Sequence, residues 1–144
     1  MLKIGYPAYN FKIKSRGNKE IIFDEVRKIW VTLTPEEWVR QNFLQWLIQK
    51  KKYPAGLMAV EKKIMVNQMP RRCDILVYKN EKPWLLVECK EPATPLDEKT
   101  IWQILNYNIT LTVQYLIITN GASSFCFKIE DGQVEEMEEL PGYG

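Results

Sequence analysis

Apolar residues follow different spacings along this chain. In "LTPEEWVRQNFLQWLIQKKKYP", Val39, Phe43, Trp46 and Leu47 recur at the spacing of one helix face. Thr34 suits the N-cap, Pro35 the first helical position, and two glutamates the first turn. Lys50, Lys51 and Lys52 suit the other end of the dipole, and Pro54 closes the segment. "GLMAVEKKIMV", residues 56 to 66, predicts a strand, and residues 71 to 90 predict a hairpin. "DEKTIWQILNYNITLT", residues 97 to 112, predicts a second helix capped by Asp97 or Thr94. "VQYLIITNG" reads as a buried strand ending at Asn120-Gly121, and "SSFCFKIEDGQVEEM" as a hairpin around Asp131-Gly132. Residues 1 to 31 show no clear period and predict only short strands or turns. The order of helix, three strands, helix, strand and hairpin predicts one α/β domain with a mixed sheet. Its expected appendages are an N-terminal extension, about residues 1–31, and an acidic C-terminal hairpin and tail, about residues 124–144.

The first hairpin contains an anomaly. In "RRCDILVYKNEKPWLLVECK", Asp74 and Glu88 stand among strand-forming apolar residues. A fold about Glu81 sets Tyr78 opposite Trp84, Leu76 opposite Leu86, and Asp74 opposite Glu88. Lys90 then lies beside Glu88, with Arg72 across from it. Opposed like charges destabilise a sheet, and a divalent cation removes the conflict by taking both carboxylates as ligands. The alternative is a solvated face on which Arg72 and Lys90 neutralise the acids. The spacing alone does not choose between them.

Composition narrows the chemistry. The chain has no histidine, which removes Ser-His-Asp and Cys-His catalysis and HExxH zinc sites. Its three cysteines, without a CxxC pair, cannot build a four-thiolate zinc site and read as reduced, buried thiols of a cytoplasmic protein. No apolar run approaches the ~18 residues of a membrane span, and the N-terminus lacks a secretory h-region. Six of the 18 acids fall in residues 130 to 140, which leaves 20 bases against 12 acids elsewhere. A basic body of this kind suits nucleic acid, though a solvated acidic tail explains the asymmetry equally well.

Pro70 to Asp74, followed by Glu88-Cys89-Lys90, resembles the PD-(D/E)XK nucleases. Gln103 and Tyr107, at i and i+4 on the second helix, resemble the QxxxY motif of the branch that holds RecB-type nucleases and the N-terminal nuclease domain of type I restriction enzyme motor subunits. "LTPEEWVRQ", "VECKEP", "QILNYN" and "IITNG" resemble that last domain in the same order, over roughly residues 20 to 130. The resemblance implies a restriction-endonuclease-like fold, a mixed central sheet flanked by helices with an α-β-β-β-α-β core. It implies Mg²⁺ or Mn²⁺ held by Asp74, Glu88 and the backbone carbonyl of Cys89, with Lys90 as the catalytic lysine. Gln103 and Tyr107 would orient the lysine or contact the nucleic acid strand. The family also places a glutamate on the first helix. Periodicity favours Glu36 for the site and Glu37 for the capping box, with the reverse left open.

DNA is the implied substrate, with Arg71, Arg72 and Lys99, and also Lys12 and Lys14, against its phosphates. Two departures stand out: Pro70 lies four residues before Asp74, and no GxxxxGK[ST] loop is present. The expectation is therefore a stand-alone deoxyribonuclease, alone, as a homodimer, or beside a separate helicase or restriction-system partner. The rival is a non-catalytic module on the same fold. It would bind nucleic acid, or recruit a protein through Trp30, Trp38 or Trp84. Trp102 either packs or stacks on a base.

Overall fold

The computed structural model describes residues 1–144. The segment without a clear period forms a three-stranded antiparallel meander of β1 (Ile13–Arg16), β2 (Lys19–Asp24) and β3 (Ile29–Thr32). Its period is hidden because β1 is exposed at every position, whereas Ile21, Ile22 and Asp24 of β2 are buried. Helix α1 (Pro35–Gln45) follows, and Thr34 caps it by accepting the Glu37 N–H at 3.0 Å. Val39, Phe43, Trp46 and Leu47 are all buried. The helix continues into a wider turn over Trp46–Lys50.

A six-stranded sheet comes next, ordered β4 (Met58–Val66), β5 (Met69–Lys79), β6 (Lys82–Cys89), β7 (Tyr115–Thr119), β8 (Ser124–Glu130) and β9 (Gln133–Met137). Every pair is antiparallel except β6–β7, which is parallel and bridged by α2 (Glu98–Asn108). A parallel pair needs such a crossover. Asp97 caps α2 by accepting the Thr100 N–H at 2.8 Å. The helix ends at Asn108, short of the expected residue 112. Leu111 and Val113 beyond it are buried, and they draw the chain back to the sheet.

This is the mixed α/β, restriction-endonuclease-like arrangement the sequence predicts. One apolar cluster joins α1 to one face of the sheet through Val39, Phe43, Ile75 and Val87. The other joins α2 to the opposite face through Ile104, Leu105, Leu76 and Leu86. Burying two faces at ~25 cal/mol per Å² of apolar surface is the main force holding the layers together.

Two-residue turns with left-handed backbones close the hairpins at Asn67-Gln68, Asn80-Glu81 and Asp131-Gly132. The β5–β6 turn is therefore centred between Asn80 and Glu81, not on Glu81. Tyr78 faces Pro83 instead of Trp84, and an irregularity after Val77 restores the pairing of Leu76 with Leu86 and of Ile75 with Val87. Trp84 is buried against Tyr53, Tyr115 and Tyr143, so it is not a docking residue. Trp38 and Trp102 are exposed. No helix is long and apolar enough to cross a membrane.

The sheet also changes face once. On β4, Met58 and Val60 pack on the α1 side, yet Ile64 and Val66, of the same parity, pack on the α2 side. On β5, Cys73 and Ile75 are split in the same way. Between them the pair Glu61–Asp74 drops out of an otherwise continuous ladder, and Glu61 has φ 55°. Strict alternation along a strand breaks at these two acids, and both carboxylates meet α1 there.

Candidate active site

Asp74 sits where the sheet changes face, with both carboxylate oxygens occupied. Oδ2 accepts the Cys89 N–H at 2.8 Å, and Oδ1 accepts Arg40 Nη2 at 2.7 Å. Glu88 adjoins it on β6. Burial, and then the charge of Asp74, push its carboxyl up to about 7, while Lys90, Arg71 and the Asn108 amide oppose the shift. No ion pair within 4.0 Å involves Glu88 or Lys90. The backbone of Lys90 is fixed by its N–H to the Thr119 carbonyl at 2.8 Å, at the last pair of the β6–β7 ladder.

The two glutamates of the first helix lie in different surroundings. Glu37 is buried, and it accepts Arg40 Nη1 at 2.7 Å, Gln41 Nε2 at 3.1 Å and Arg27 Nη2 at 3.4 Å. It receives the cap through its N–H, but its side chain turns inward and does not complete a capping box. Glu36 faces the site, with its side chain 47% exposed. Burial and the nearby Asp74 raise its pKa against the pull of Arg40.

Behind Glu37 lies Asp24, which is fully buried. Burial alone would raise its pKa, but the N–H groups of Val26 and Arg27, Arg27 Nε and Gln41 Nε2 all donate to it and hold it below the usual range. The meander is thereby joined to α1 directly beneath the site.

Asp74, Glu88, Lys90 and Glu36 thus lie close enough for their charges to act on one another. Of the other expected residues, Gln103, Tyr107, Arg72 and Lys99 stand apart from this group, whereas Arg71 and the Cys89 backbone adjoin it. Gln103 is exposed and makes no hydrogen bond to them. Tyr107 is 63% exposed, with the Arg71 guanidinium stacked 3.7 Å from its ring centre. Arg71 also donates to the Tyr107 carbonyl and the Asn108 side chain, so it is spent on the C-terminal end of α2. Arg72 is exposed and reaches Glu61 at 3.3 Å, on the β4 side and not across from Lys90. Lys99 is exposed on the first turn of α2. Cys89 contributes backbone alone: its thiol is buried and its pKa lies well above the ordinary value because of that burial.

Sequence reasoning missed three participants. Glu61 carried a usable signal, being an acid inside an apolar strand like Asp74 and Glu88. Arg40 looked like an ordinary helix ion-pair residue, four after Glu36 and three after Glu37. Asn108 carried none.

Hard oxygen donors suit Mg²⁺ or Mn²⁺. A half-buried Glu88 whose pKa is raised by burial and by the charge of the adjacent Asp74 fits such an ion. No three Asp, Glu, Cys or His side chains form a ready-made metal cluster, however. Four carboxylates, of Glu36, Glu37, Glu61 and Asp74, gather around the guanidinium of Arg40 instead. Asp74, Glu88, Lys90 and Glu36 line none of the cavities around Trp102, Phe11, Glu135, Tyr6 or Lys82.

A family model described as type I restriction enzyme R protein N terminus (HSDR_N) matches residues 35–141. The match covers α1, all six strands of the large sheet, α2 and every site residue named above except those of the meander. No curated protein matches the chain.

Proposed function

The chain belongs to the family of type I restriction enzyme R protein N termini, and from that premise we propose that it is a metal-dependent nuclease hydrolysing DNA phosphodiester bonds. The observation that carries the reading is the convergence of Asp74, Glu88 and Lys90 at the end of one hairpin, with no ion pair to Glu88 within 4.0 Å. Asp74 and Glu88 would hold the ion, with the Cys89 carbonyl as a backbone ligand. Bound there, Mg²⁺ or Mn²⁺ supplies Lewis acidity at the scissile phosphate. Lys90, free of any ion pair, stabilises the charge that develops on the phosphate oxygens. Glu36, partly exposed and with a raised pKa, holds or releases a proton beside them. Exposed Arg72 and Lys99 are available to backbone phosphates, and a restriction system is the expected setting.

Cleavage of duplex, single-stranded and branched DNA with Mg²⁺ or Mn²⁺ tests this. Lys90→Ala is expected to lose roughly 10²-fold or more in rate, the scale seen when one preorganised charge-stabilising group is removed. Equal rates in the two proteins, or no cleavage of any substrate by wild type, would sink the proposal. One observation favours a second reading, a non-cleaving nucleic-acid-binding module: Arg40 already neutralises Asp74. Salt-dependent DNA binding with no Mn²⁺ bound would select it.

A further inference from the structure

We infer that Arg40 is the fixed second cation of this site, so that the centre takes a single divalent ion. The inference rests on the nuclease reading above and concerns what stands on the α1 side of Asp74. Three carboxylates converge on one nitrogen there. Arg40 Nη2 lies 2.7 Å from Asp74 Oδ1, 2.8 Å from Glu61 Oε1 and 3.5 Å from Glu36 Oε2. Two-metal phosphodiesterases place their ions ~3.5–4 Å apart across a shared carboxylate. Here Asp74 is the shared carboxylate: Glu88 adjoins it on one side, and a guanidinium fills the other.

The guanidinium is built in. Its side chain is 5% exposed, and Nη1 is anchored to Glu37 Oε1 at 2.7 Å. Glu37 is held in turn by Gln41 and Arg27, and both of those are held by fully buried Asp24. Arg40 Nε is buried with no acceptor. The carboxylates at the other two nitrogens fix the group. A second ion would need the same oxygens that Nη2 already holds. Arg40 is therefore a positioning residue: it orients Asp74 and supplies the second positive charge without a second metal.

Counting Mn²⁺ bound to the full chain, by calorimetry and by electron paramagnetic resonance, tests the inference without recourse to activity. Wild type and Arg40→Lys are expected to bind one ion, and Arg40→Gln two, through the freed Asp74, Glu61 and Glu36. Two ions in wild type, or one ion at unchanged affinity in Arg40→Gln, overturns the role of Arg40 and leaves the nuclease reading standing. No ion in wild type removes the nuclease reading and this inference with it. Should Arg40→Gln fail to fold, a wild-type crystal soaked in Mn²⁺ decides. One anomalous peak between Asp74 and Glu88, with Arg40 still bonded to Asp74, supports the inference; a peak touching Glu61, or a displaced Arg40, refutes it.

Discussion

Glu88 and Asp24 show how far one carboxyl's chemistry depends on its donors. Asp24 is shielded from solvent, yet its pKa is lowered, because four donors meet its two oxygens. Glu88 is raised to about 7, first by burial and then by Asp74, because its donors are too few. The folded state therefore holds the Glu88 proton more tightly than the unfolded state, whose value lies near 4.5. Stability from this group is intact below that value, falls as pH rises through the window, and is fully lost above about 7. A shift of this size corresponds to something on the order of 3 kcal/mol, an upper figure because some solvent reaches the group. Glu88→Gln removes the desolvated charge. Denaturant melts should find it more stable than wild type by ~1–3 kcal/mol at pH 8 and indistinguishable at pH 4. A constant difference across pH would place the cause elsewhere.

At the scale of the element, the β5–β6 turn is the clearest departure from expectation. Asn80 and Glu81 have φ 53° and 65°, a pair of left-handed residues that favours Asn-Gly. Glu81→Gly should raise the melting midpoint, with a gain of ~0.5–1 kcal/mol by chemical denaturation, because glycine relieves the Cβ clash at small entropic cost. The same turn explains why the register was partly legible. The sequence placed the centre at Glu81, half a residue late, and the irregularity after Val77 cancels that error over Ile75 to Val77.

Helix caps and the order of elements were legible because local chemistry dictates them: Thr34 and Asp97 both cap as read. The change of face at Glu61 and Asp74 was not, since period-two reasoning assumes one face throughout a strand. Nor was the burial of Arg40, which depends on acids from three separate elements converging on it. The meander was hidden because an exposed strand has no apolar alternation to detect.

At the scale of the molecule, the site is braced from outside the family match. Asp24 and Arg27 precede residue 35, yet they hold Glu37 and Gln41, and through them Arg40 and Asp74. The outer strands are protected by charge. Lys62 and Lys63 are exposed on β4, and Glu135 and Glu136 on β9, which discourages pairing with other chains along these edges.

The three cysteines acquire a use from their positions. Cys73 precedes Asp74 and Cys89 follows Glu88, while Cys126 lies two strands away from Cys89 on β8. All three thiols are buried, and burial raises each pKa, to about 11 for Cys73 and about 12 for Cys126. A thiol reagent can then react only when the surrounding strands part. The chain in effect carries a clock on each side of its acidic pair and a reference clock beyond. Mass-spectrometric labelling should show Mg²⁺ slowing Cys73 and Cys89 more than Cys126, and equal slowing would locate the ion away from the hairpin.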